Sequence, residues 1–227
     1  SVCLRDDQPP DWYTAASSVV NNEAEAYASD WAPRLAASFL DQQLQAVLRD
    51  DDDVFNLWFS LLPDPNWIRA SLPVHWPDDL LKQTYCLSLE AAVDEAYFLR
   101  ASAFEKMMAN VPMDKDEATT RRLCENALDV IQTRSCRLFD DPPVRCLVPF
   151  FDFINHSEHA NCIFTAHDQF LIVTARRDID ADEEVLIDYG ASTRPAWKCL
   201  ASYGFVPDKD DDSSSERTAE IYHDDGV

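Results

Sequence analysis

The chain has 227 residues, of which 46% are hydrophobic and 11% aromatic, a composition that excludes a disordered protein and supports a substantial core. Only Gly190, Gly204 and Gly226 are glycine, so the sequence holds neither a G-x-G-x-x-G motif nor a phosphate-binding P-loop. The formal net charge of −23 disfavours direct contact with nucleic acid and favours a basic protein partner. Solubility alone is the alternative explanation for this acidity.

Seven cysteines stand at positions 3, 86, 124, 136, 146, 162 and 199, and no two form a C-x-x-C motif. This odd number predicts reduced thiols in an intracellular compartment rather than a disulfide framework. No apolar run approaches the roughly 18 residues of a membrane span, and the N-terminus has no signal-peptide pattern. Because the chain begins at Ser1 without an initiator methionine, we expect it to be a piece of a longer protein.

The first 138 residues are predicted to be mainly helical. Apolar residues recur with helical spacing over residues 35–48, and four aspartates at 50–53 should end that helix. The sequence Pro77-Asp78-Asp79 is typical of a helix start, because proline and acidic residues suit the first turn. Two long helices are then predicted, at about residues 87–108 and 116–136.

After residue 139 the pattern becomes that of a mixed α+β protein. Short β-type runs lie at residues 162–165, 170–174 and 185–187, with a hairpin turn predicted at residues 167–168. Residues 195–203 return to a helical pattern that Gly204 should end. From residue 208 on, eight acidic residues face two basic ones, so we expect a disordered tail over residues 208–227.

An apolar run at residues 147–151 is followed by the densest polar cluster of the chain. We expect this run to be a buried strand that brings the polar groups of Asn155 and His156 to the edge of a pocket. A loop asparagine with its hydrogen bonds satisfied and a core histidine is the alternative interpretation.

The same cluster also permits a zinc interpretation. His156, His159 and Cys162 stand three residues apart, and all three are residue types that bind zinc. A fourth ligand would have to come from His167 or from a distant cysteine, because nothing else in the chain has ligand spacing.

A second polar cluster favours the pocket. The letters N-H-S at 155–157 and N-C at 161–162, followed by D-E-E-V-L-I-D-Y at 182–189, resemble the paired signature of SET-domain protein methyltransferases, N-H-S-C-x-P-N-C and G-E-E-L-x-x-D-Y. The letters Y-G at 189–190 and Y-G-F-V at 203–206 are similar to the branch containing the Rubisco large-subunit lysine methyltransferases and the actin-histidine methyltransferase.

This resemblance covers about residues 35–207 and implies a SET β-fold of short strands with a pseudoknot, split by a mainly helical insertion. Residues 58–63, 72–76 and 131–134 look like landmarks of that insertion. We therefore expect residues 1–138 to be the insertion region, without the N-terminal SET strands, and residues 139–207 to be the C-terminal half of the SET domain. The branch's C-terminal helical substrate-binding domain is not recognisable in this sequence.

Three positions depart from the family signature. Glu158 and Ala160 replace a cysteine and a proline of the first motif, and Asp182 replaces the glycine of the second. The G-x-G loop that contacts S-adenosylmethionine in the family is also not found, so we expect either that the chain is a fragment or that its cofactor pocket is incomplete.

The resemblance also implies roles for individual residues. Tyr189 would be the catalytic residue, with its hydroxyl beside the transferring methyl group, and Tyr203 would line the substrate channel. The cofactor S-adenosyl-L-methionine would be held by residues of the first motif and by one upstream arginine, namely Arg134, Asp152, Asn155 and His156. No metal is expected in this interpretation.

The resemblance thus implies an S-adenosylmethionine-dependent protein methyltransferase that acts on lysine, with histidine as a second candidate, in a basic protein substrate. A catalytically silent SET-fold module that binds a basic partner is the alternative, since the cofactor pocket could be incomplete. Direct nucleic-acid binding and membrane association are not predicted.

Overall fold

In a computed structural model, the structure describes residues 3–11, 13, 31–46, 53–111, 116–140, 143–167, 170–190 and 194–207. Its α-helices are α1 (Trp31–Ala46), α2 (Val54–Leu61), α3 (Pro65–Ser71), α4 (Asp78–Lys82), α5 (Leu87–Asn110), α6 (Glu117–Arg134) and α7 (Ala196–Tyr203), with 3-10 helices at Pro73–His75 and Phe151–Phe153. Its strands are β1 (Leu4–Arg5), β2 (Cys136–Asp140), β3 (Pro143–Leu147), β4 (Asn155–His156), β5 (Cys162–His167), β6 (Phe170–Ala175) and β7 (Leu186–Ile187). The predicted α+β class is confirmed.

Three of the helices, α2, α3 and α6, begin where an aspartate side chain caps them. The carboxylates of Asp53, Asp64 and Asp116 accept hydrogen bonds from backbone N–H groups two or three residues further on, at 2.7–3.0 Å. These bonds satisfy donors that the first helical turn leaves without partners. The long helices α5 and α6 are confirmed, with ends that differ from the prediction by one or two residues. The aspartates at 50–52 that should end α1 lie outside the described residues.

The hydrophobic core joins the helices to each other. Trp58 of α2 is fully buried, and its indole ring meets the ring of Phe39 of α1 edge to face at 5.8 Å. Met107 of α5 and Leu128 of α6 belong to the same buried cluster. Since burying one large apolar side chain contributes about 1.5–3 kcal/mol, this cluster supplies much of the stability of the helical region.

A buried polar network ties the helices to the C-terminal helix. Asp129 of α6 is only 1% exposed, and its Oδ1 accepts hydrogen bonds from His75 Nε2 at 2.8 Å and from the Arg100 guanidinium. Arg100 also donates to the side-chain oxygen of Gln132 at 2.7 Å. Gln132 in turn donates to the backbone carbonyl of Ala201 in α7 at 3.0 Å. Helix α7 is therefore held against α6 by directed hydrogen bonds as well as by packing.

The strands form three small sheets. The largest has the order β1-β3-β2 and is antiparallel, β5 and β6 form a hairpin, and β4 pairs with β7 in parallel. The hairpin and β7 are confirmed predictions, but β1, β2 and β3 were not predicted. The helix predicted over about residues 116–136 extends too far, because α6 ends at Arg134 and Cys136 already belongs to β2. A short strand that pairs with the strand following it in the chain has no clear periodicity of its own.

The expected buried strand at residues 147–151 is wrong. Strand β3 ends at Leu147, and the chain then turns through Phe150, whose φ of 68° lies in the left-handed region. A 3-10 helix at Phe151–Phe153 follows before β4 begins at Asn155. The apolar residues of this segment therefore form a tight turn and a 3-10 helix, which lead to the polar residues of β4. A turn of this kind has no periodic pattern from which it could be predicted.

Strands β4 and β7 bring the two signature segments together. Asn155 pairs with Leu186 and His156 with Ile187, in parallel register. Nearby, α7 ends at Gly204, whose φ of 78° matches the predicted glycine stop. A Cβ atom at this position would lie 2.5 Å from the hydroxyl of Ser71, so the close approach of α7 to α3 requires glycine.

Within the part of the chain that the structure describes, no helix is both long and apolar enough to cross a bilayer. The acidic tail predicted to be disordered, residues 208–227, lies outside the described residues. Of the hairpin turn predicted at residues 167–168, residue 167 is the last of β5 and residue 168 lies outside the described residues.

The departure of the second motif from the family signature has a conformational cost. Asp182, which stands where the signature has glycine, has a φ of 66°. Left-handed backbone costs most side chains about 1–2 kcal/mol, and aspartate tolerates it better than most because its short polar side chain can bond locally.

Asp182→Gly is therefore expected to raise the free energy of unfolding by about 0.5–1 kcal/mol, since the strain that is relieved exceeds the chain entropy that glycine adds. Chemical denaturation of the wild type and the variant measures the difference. Asp180→Gly is the matched control. Asp180 is not one of the described residues with a positive φ, so glycine relieves no strain there and should destabilise the fold. A less stable Asp182→Gly protein would contradict this account.

Candidate functional site

A cavity of about 200 Å³ lies where α3, the end of α6, the 3-10 helix at Phe151–Phe153 and the end of α7 meet. Five of the six site residues predicted from the sequence line it, namely Arg134, Asp152, Asn155, Tyr189 and Tyr203. The sixth, His156, packs its ring against that of Tyr189, with centroids 5.3 Å apart. Residues far apart in the sequence are thus brought to one place.

The base of the cavity is an ion pair between Arg134 and Asp152. Arg134 Nη1 donates to Asp152 Oδ2 and to its backbone carbonyl, both at 3.1 Å. The other carboxylate oxygen, Oδ1, accepts from Trp58 Nε1 at 3.0 Å. Burial raises the pKa of the Asp152 carboxyl, whereas the facing guanidinium and the indole N–H oppose that rise. The Asp152 carboxylate is therefore engaged within the protein and orients Arg134.

Arg134 keeps donor capacity beyond this pair. Its guanidinium lies over the ring of Phe153 at 5.7 Å, and its Nε is buried without a hydrogen-bond partner. A guanidinium carries five N–H donors, of which the Asp152 pair uses those of Nη1. A cation held in this way in a cavity wall suits a carboxylate, because planar guanidinium groups bind carboxylates with directed hydrogen bonds.

Tyr189 stands at the centre of the site. Its hydroxyl donates to the backbone carbonyl oxygen of Ile154, and its ring contacts those of His156, Tyr203 and Phe205. Burial raises the pKa of Tyr189 to about 12, although nearby Arg134 pulls it down. The phenol therefore stays protonated at neutral pH and keeps a fixed direction.

The ring of His156 is oriented by the backbone of the second motif. Its Nδ1 accepts a hydrogen bond from the Tyr189 N–H at 3.2 Å, so the ring carries its proton on Nε2. That Nε2 is buried without a partner, and the side chain is only 4% exposed. The nearest carboxylate oxygen, on Asp188, lies 3.7 Å from Nδ1, which is too long for a hydrogen bond. The imidazole therefore supports the ring of Tyr189 without lining the cavity itself.

The opposite wall of the cavity is aromatic. The rings of Tyr203 and Phe205 are stacked with centroids 5.9 Å apart, and Tyr203 lies 5.5 Å from Tyr189. Arg194 donates from Nη1 to the Tyr203 hydroxyl at 3.1 Å, which fixes that ring. Faces of aromatic rings carry partial negative charge and attract cations that have lost part of their hydration.

Asparagines clamp the two motifs to each other. The buried Asn161 donates from Nδ2 to the Glu184 carbonyl at 2.8 Å and to Glu183 Oε1 at 3.1 Å, while its Oδ1 accepts from the Leu186 N–H at 2.9 Å. Asn155 donates to the side chain of Glu184 at 2.6 Å. Glu183 is also bound by a guanidinium, that of Arg177, and this pair, as its largest cause, lowers the pKa of Glu183 to about 2. The clamp fixes β7, and therefore Tyr189, relative to Asn155.

Sequence reasoning missed part of the cavity wall. Trp67, Ile68 and Ser71 of α3 and Thr133 of α6 line the cavity beside Phe153 and Phe205. Phe205 belongs to the Y-G-F-V segment at 203–206, and Thr133 belongs to the landmark at residues 131–134, so both lie within segments that the resemblance singles out. The sequence of α3 contains no motif that predicts a binding site, because this helix contributes to the site only by forming part of the cavity wall.

The zinc interpretation finds no support in the geometry. Among the described residues, no group of three or more histidine, cysteine, aspartate or glutamate side chains is arranged to hold a metal ion. Cys162 is buried at the start of β5, and His156 is packed in the aromatic cluster.

The cavity combines two kinds of chemistry. A guanidinium held by Asp152 offers hydrogen bonds to an anion. The protonated phenol of Tyr189 and the rings of Tyr203 and Phe205 offer partial negative charge to a cation. Such a site suits a zwitterionic ligand that carries both a carboxylate and a cationic group.

Comparisons with known proteins agree with the motif. The family model of the SET domain matches residues 20–190, three quarters of the chain. The chain is similar to "SET domain-containing protein 8" of Schizosaccharomyces pombe, with 36% identity over 74 residues, which are 33% of this chain and 16% of that protein. It is also similar to the crystal structure of the SET domain of LSMT bound to lysine and AdoHcy, with a TM-score of 0.51 and 16% identity.

The structural match covers 90% of this chain and 46% of the LSMT chain, so this chain spans less than half of either protein that it resembles. The match confirms the expected SET fold. The pairing of β4 with β7 places the two segments of the signature side by side. Because the family model covers well over half of the residues, the chain belongs to the SET-domain family.

Proposed function

We propose that this protein is an S-adenosylmethionine-dependent protein methyltransferase that modifies a lysine side chain of a protein substrate. A histidine side chain is the second candidate acceptor. One observation carries the proposal: Arg134, Asp152, Tyr189 and Tyr203 line a single cavity. Membership of the SET-domain family and a fold shared with LSMT, whose structure contains lysine and AdoHcy, support it.

The residues of the cavity fit the proposed cofactor. Bound S-adenosylmethionine would supply a methyl group on a positively charged sulfonium. Arg134 would hold the carboxylate end, because its guanidinium is already oriented by Asp152 and retains unused donors. The segment Asn155–His156 would contribute polar groups, while Asp152 would act through Arg134 rather than by contact.

Tyr189 would serve the transfer as a neutral, oriented phenol. Since its hydroxyl hydrogen is donated to the Ile154 carbonyl, the oxygen presents its lone pairs elsewhere. A fixed oxygen dipole of this kind stabilises a positive charge without reorganising during the reaction. With a pKa of about 12 it does not act as a general base at neutral pH.

The acceptor amine must lose its proton before transfer. A lysine has a reference pKa of about 10.4, so roughly one in a thousand is neutral at pH 7. Tyr203 and Phe205 form an apolar wall that desolvates an entering ammonium, and desolvation lowers the pKa of an amine. Alignment of amine and methyl group would supply several kcal/mol more, within the about 7–11 kcal/mol seen for intramolecular reactions.

The proposed substrate is a basic protein segment. Glu184 and Asp188 are exposed beside the cavity residues Asn155 and Tyr189, and the chain carries a net charge of −23. A SET-fold module that binds such a segment without transferring a methyl group is the competing function, which the experiments below distinguish.

Replacing Tyr189 with phenylalanine should reduce kcat by about 100- to 1,000-fold, because one oriented dipole at the reacting centre is lost. Binding of S-adenosylmethionine, followed by calorimetry, should change by no more than about threefold. Tyr97→Phe, at an exposed position on α5, is the matched control and should leave both quantities unchanged. Unchanged turnover in Tyr189→Phe would remove this role, and an absence of heat with the wild type would favour the silent module.

The pH dependence of kcat/KM reports which group titrates. Between pH 7 and 9 we expect a rise of about tenfold per unit, because the neutral fraction of the free lysine substrate rises in that proportion. Tyr189→Phe should lower the whole profile and keep its slope, since Tyr189 remains protonated throughout this range. If the variant abolished the rise, Tyr189 would be acting as a base and the mechanism would be wrong.

Replacing Arg134 with lysine should weaken the binding of S-adenosylhomocysteine by about 10- to 100-fold, because an ammonium lacks the planar pair of donors. Arg69→Lys makes the same change at a partly exposed arginine that pairs with Glu125, and it should bind as the wild type does. Circular dichroism melts verify that both variants fold. A folded Arg134→Lys protein with unchanged affinity would show that this arginine does not hold the ligand.

A further inference from the structure

A second cavity, of about 380 Å³, lies between α3, the 3-10 helix at Pro73–His75, α5 and α6. Among the described residues, it shares no lining residue with the first cavity. Helix α3 contributes to both, since its Trp67 and Ile68 line the first cavity and its Arg69 lines the second. Small-molecule sites usually have volumes of about 300–1,000 Å³. The second cavity therefore has room for a ligand of its own, and the proposed methyl transfer makes no use of it.

Part of the wall of this second cavity is aromatic. The indole of Trp76 lines it, and its Nε1 donates a hydrogen bond to the backbone carbonyl of Ala70 at 2.8 Å, which fixes the ring. Phe104 of α5 also lines it and packs against the hydrophobic core, as does Val74. Aromatic rings pack favourably against one another in edge-to-face or offset arrangements. This part of the wall therefore suits a planar ring.

The rest of the wall carries an excess of positive charge, although the chain as a whole has a net charge of −23. Arg69, Arg100 and Arg121 line the cavity, together with a single carboxylate, that of Glu125. Arg69 Nη1 donates to Glu125 Oε2 at 2.7 Å, so these two charges balance. Arg100 is balanced in the same way by the buried carboxylate of Asp129. One positive charge, that of Arg121, remains for a ligand.

Arg121 is placed to hold an anion beside an aromatic ring. Its guanidinium carbon lies 4.7 Å from the centroid of the Phe104 ring. The carboxylate of Glu117 is 3.6 Å away and its side chain is 82% exposed, so this ion pair is weak in water. A guanidinium carries five N–H donors in one plane and binds a carboxylate with two parallel hydrogen bonds. A carboxylate held by Arg121 would thus lie next to the ring of Phe104.

The inner part of the wall is rigid. Asp129 is only 1% exposed, and its Oδ1 lies 2.8 Å from His75 Nε2 and accepts a hydrogen bond from Arg100. Arg100 also donates to Gln132 at 2.7 Å. Because His75 and Arg100 are held before any ligand arrives, little side-chain entropy is lost there on binding.

We propose that the second cavity binds a small aromatic carboxylate, in which a planar ring is joined to one carboxylate group. The ring lies against Trp76 and Phe104, and the carboxylate accepts hydrogen bonds from Arg121. A cationic ligand would be repelled by the arginines. A phosphate monoester carries about 1.5 to 2 negative charges at pH 7, which exceeds the single positive charge left in the wall.

The test titrates indole-3-acetate into the purified 227-residue chain and follows binding by ligand-observed NMR. We expect a dissociation constant of about 0.1–1 mM, an affinity that a ligand of this size can reach. Indole-3-acetamide keeps the shape without the charge, and acetate keeps the charge without the ring. Each should bind at least about tenfold more weakly, because each lacks one of the two kinds of contact.

Two variants locate the bound probe. Arg121→Gln, at an exposed position, should weaken indole-3-acetate about tenfold, whereas Arg122→Gln changes the exposed neighbouring arginine, which does not line the described cavity, and should bind as the wild type does. Ala101→Trp, at an exposed position in the cavity wall, should fill the cavity and abolish binding. Thermal melts verify that all three variants fold.

Saturating S-adenosylhomocysteine should leave the affinity for indole-3-acetate unchanged, because the two cavities have separate linings. Displacement of indole-3-acetate by S-adenosylhomocysteine would place the probe in the first cavity and overturn the proposal. An absence of binding to the wild type, or equal binding of the acid and the amide, would do the same. Tighter binding of phenyl phosphate than of phenylacetate would overturn the choice of a carboxylate. None of these outcomes depends on methyl transfer, because the readout is binding alone.

Discussion

The carboxylate of Asp152 is buried, and both of its oxygens are bound by partners from other parts of the chain. Trp58 brings helix α2 to one oxygen, and Arg134 brings the end of α6 to the other. Removing one partner of a buried ion pair costs about 3–5 kcal/mol, because the remaining charge is left without compensation. Asp152 therefore links α2 and α6 to the segment that precedes β4, and Arg134 receives its orientation from that same carboxylate.

Above this ion pair, the site depends on the pairing of two short segments. Strands β4 and β7 have two residues each, too few to be stable alone, and Asn161 supplies the missing hydrogen bonds. Tyr189 stands two residues after the end of β7, so a loss of the clamp would move the phenol away from Arg134. Asn161 belongs to the first motif, but its role in holding β7 is evident only from the three groups to which it is hydrogen-bonded in the structure.

Much of the fold could be predicted because local physics decides it. Helix α6 has apolar residues at helical spacing and an acidic start, and Gly204 ends α7 because only glycine fits against Ser71. The strands β2 and β3 could not be predicted, since each is five residues long and is stabilised by its neighbour rather than by its own pattern. The turn at Phe150 was missed for a related reason, because an aromatic residue rarely adopts a positive φ.

The sequence by itself determined the family, the α+β class and five of the residues that line the cavity, because a motif preserves the residue types that a chemistry requires. Only the tertiary structure decided that Asp152 orients Arg134 rather than facing the cavity freely, and that Trp58 binds the other oxygen of the same carboxylate. The contact between Trp58 and Asp152 joins residues 94 positions apart in the chain. No local pattern encodes them, because their free energy arises only when packing removes both partners from water.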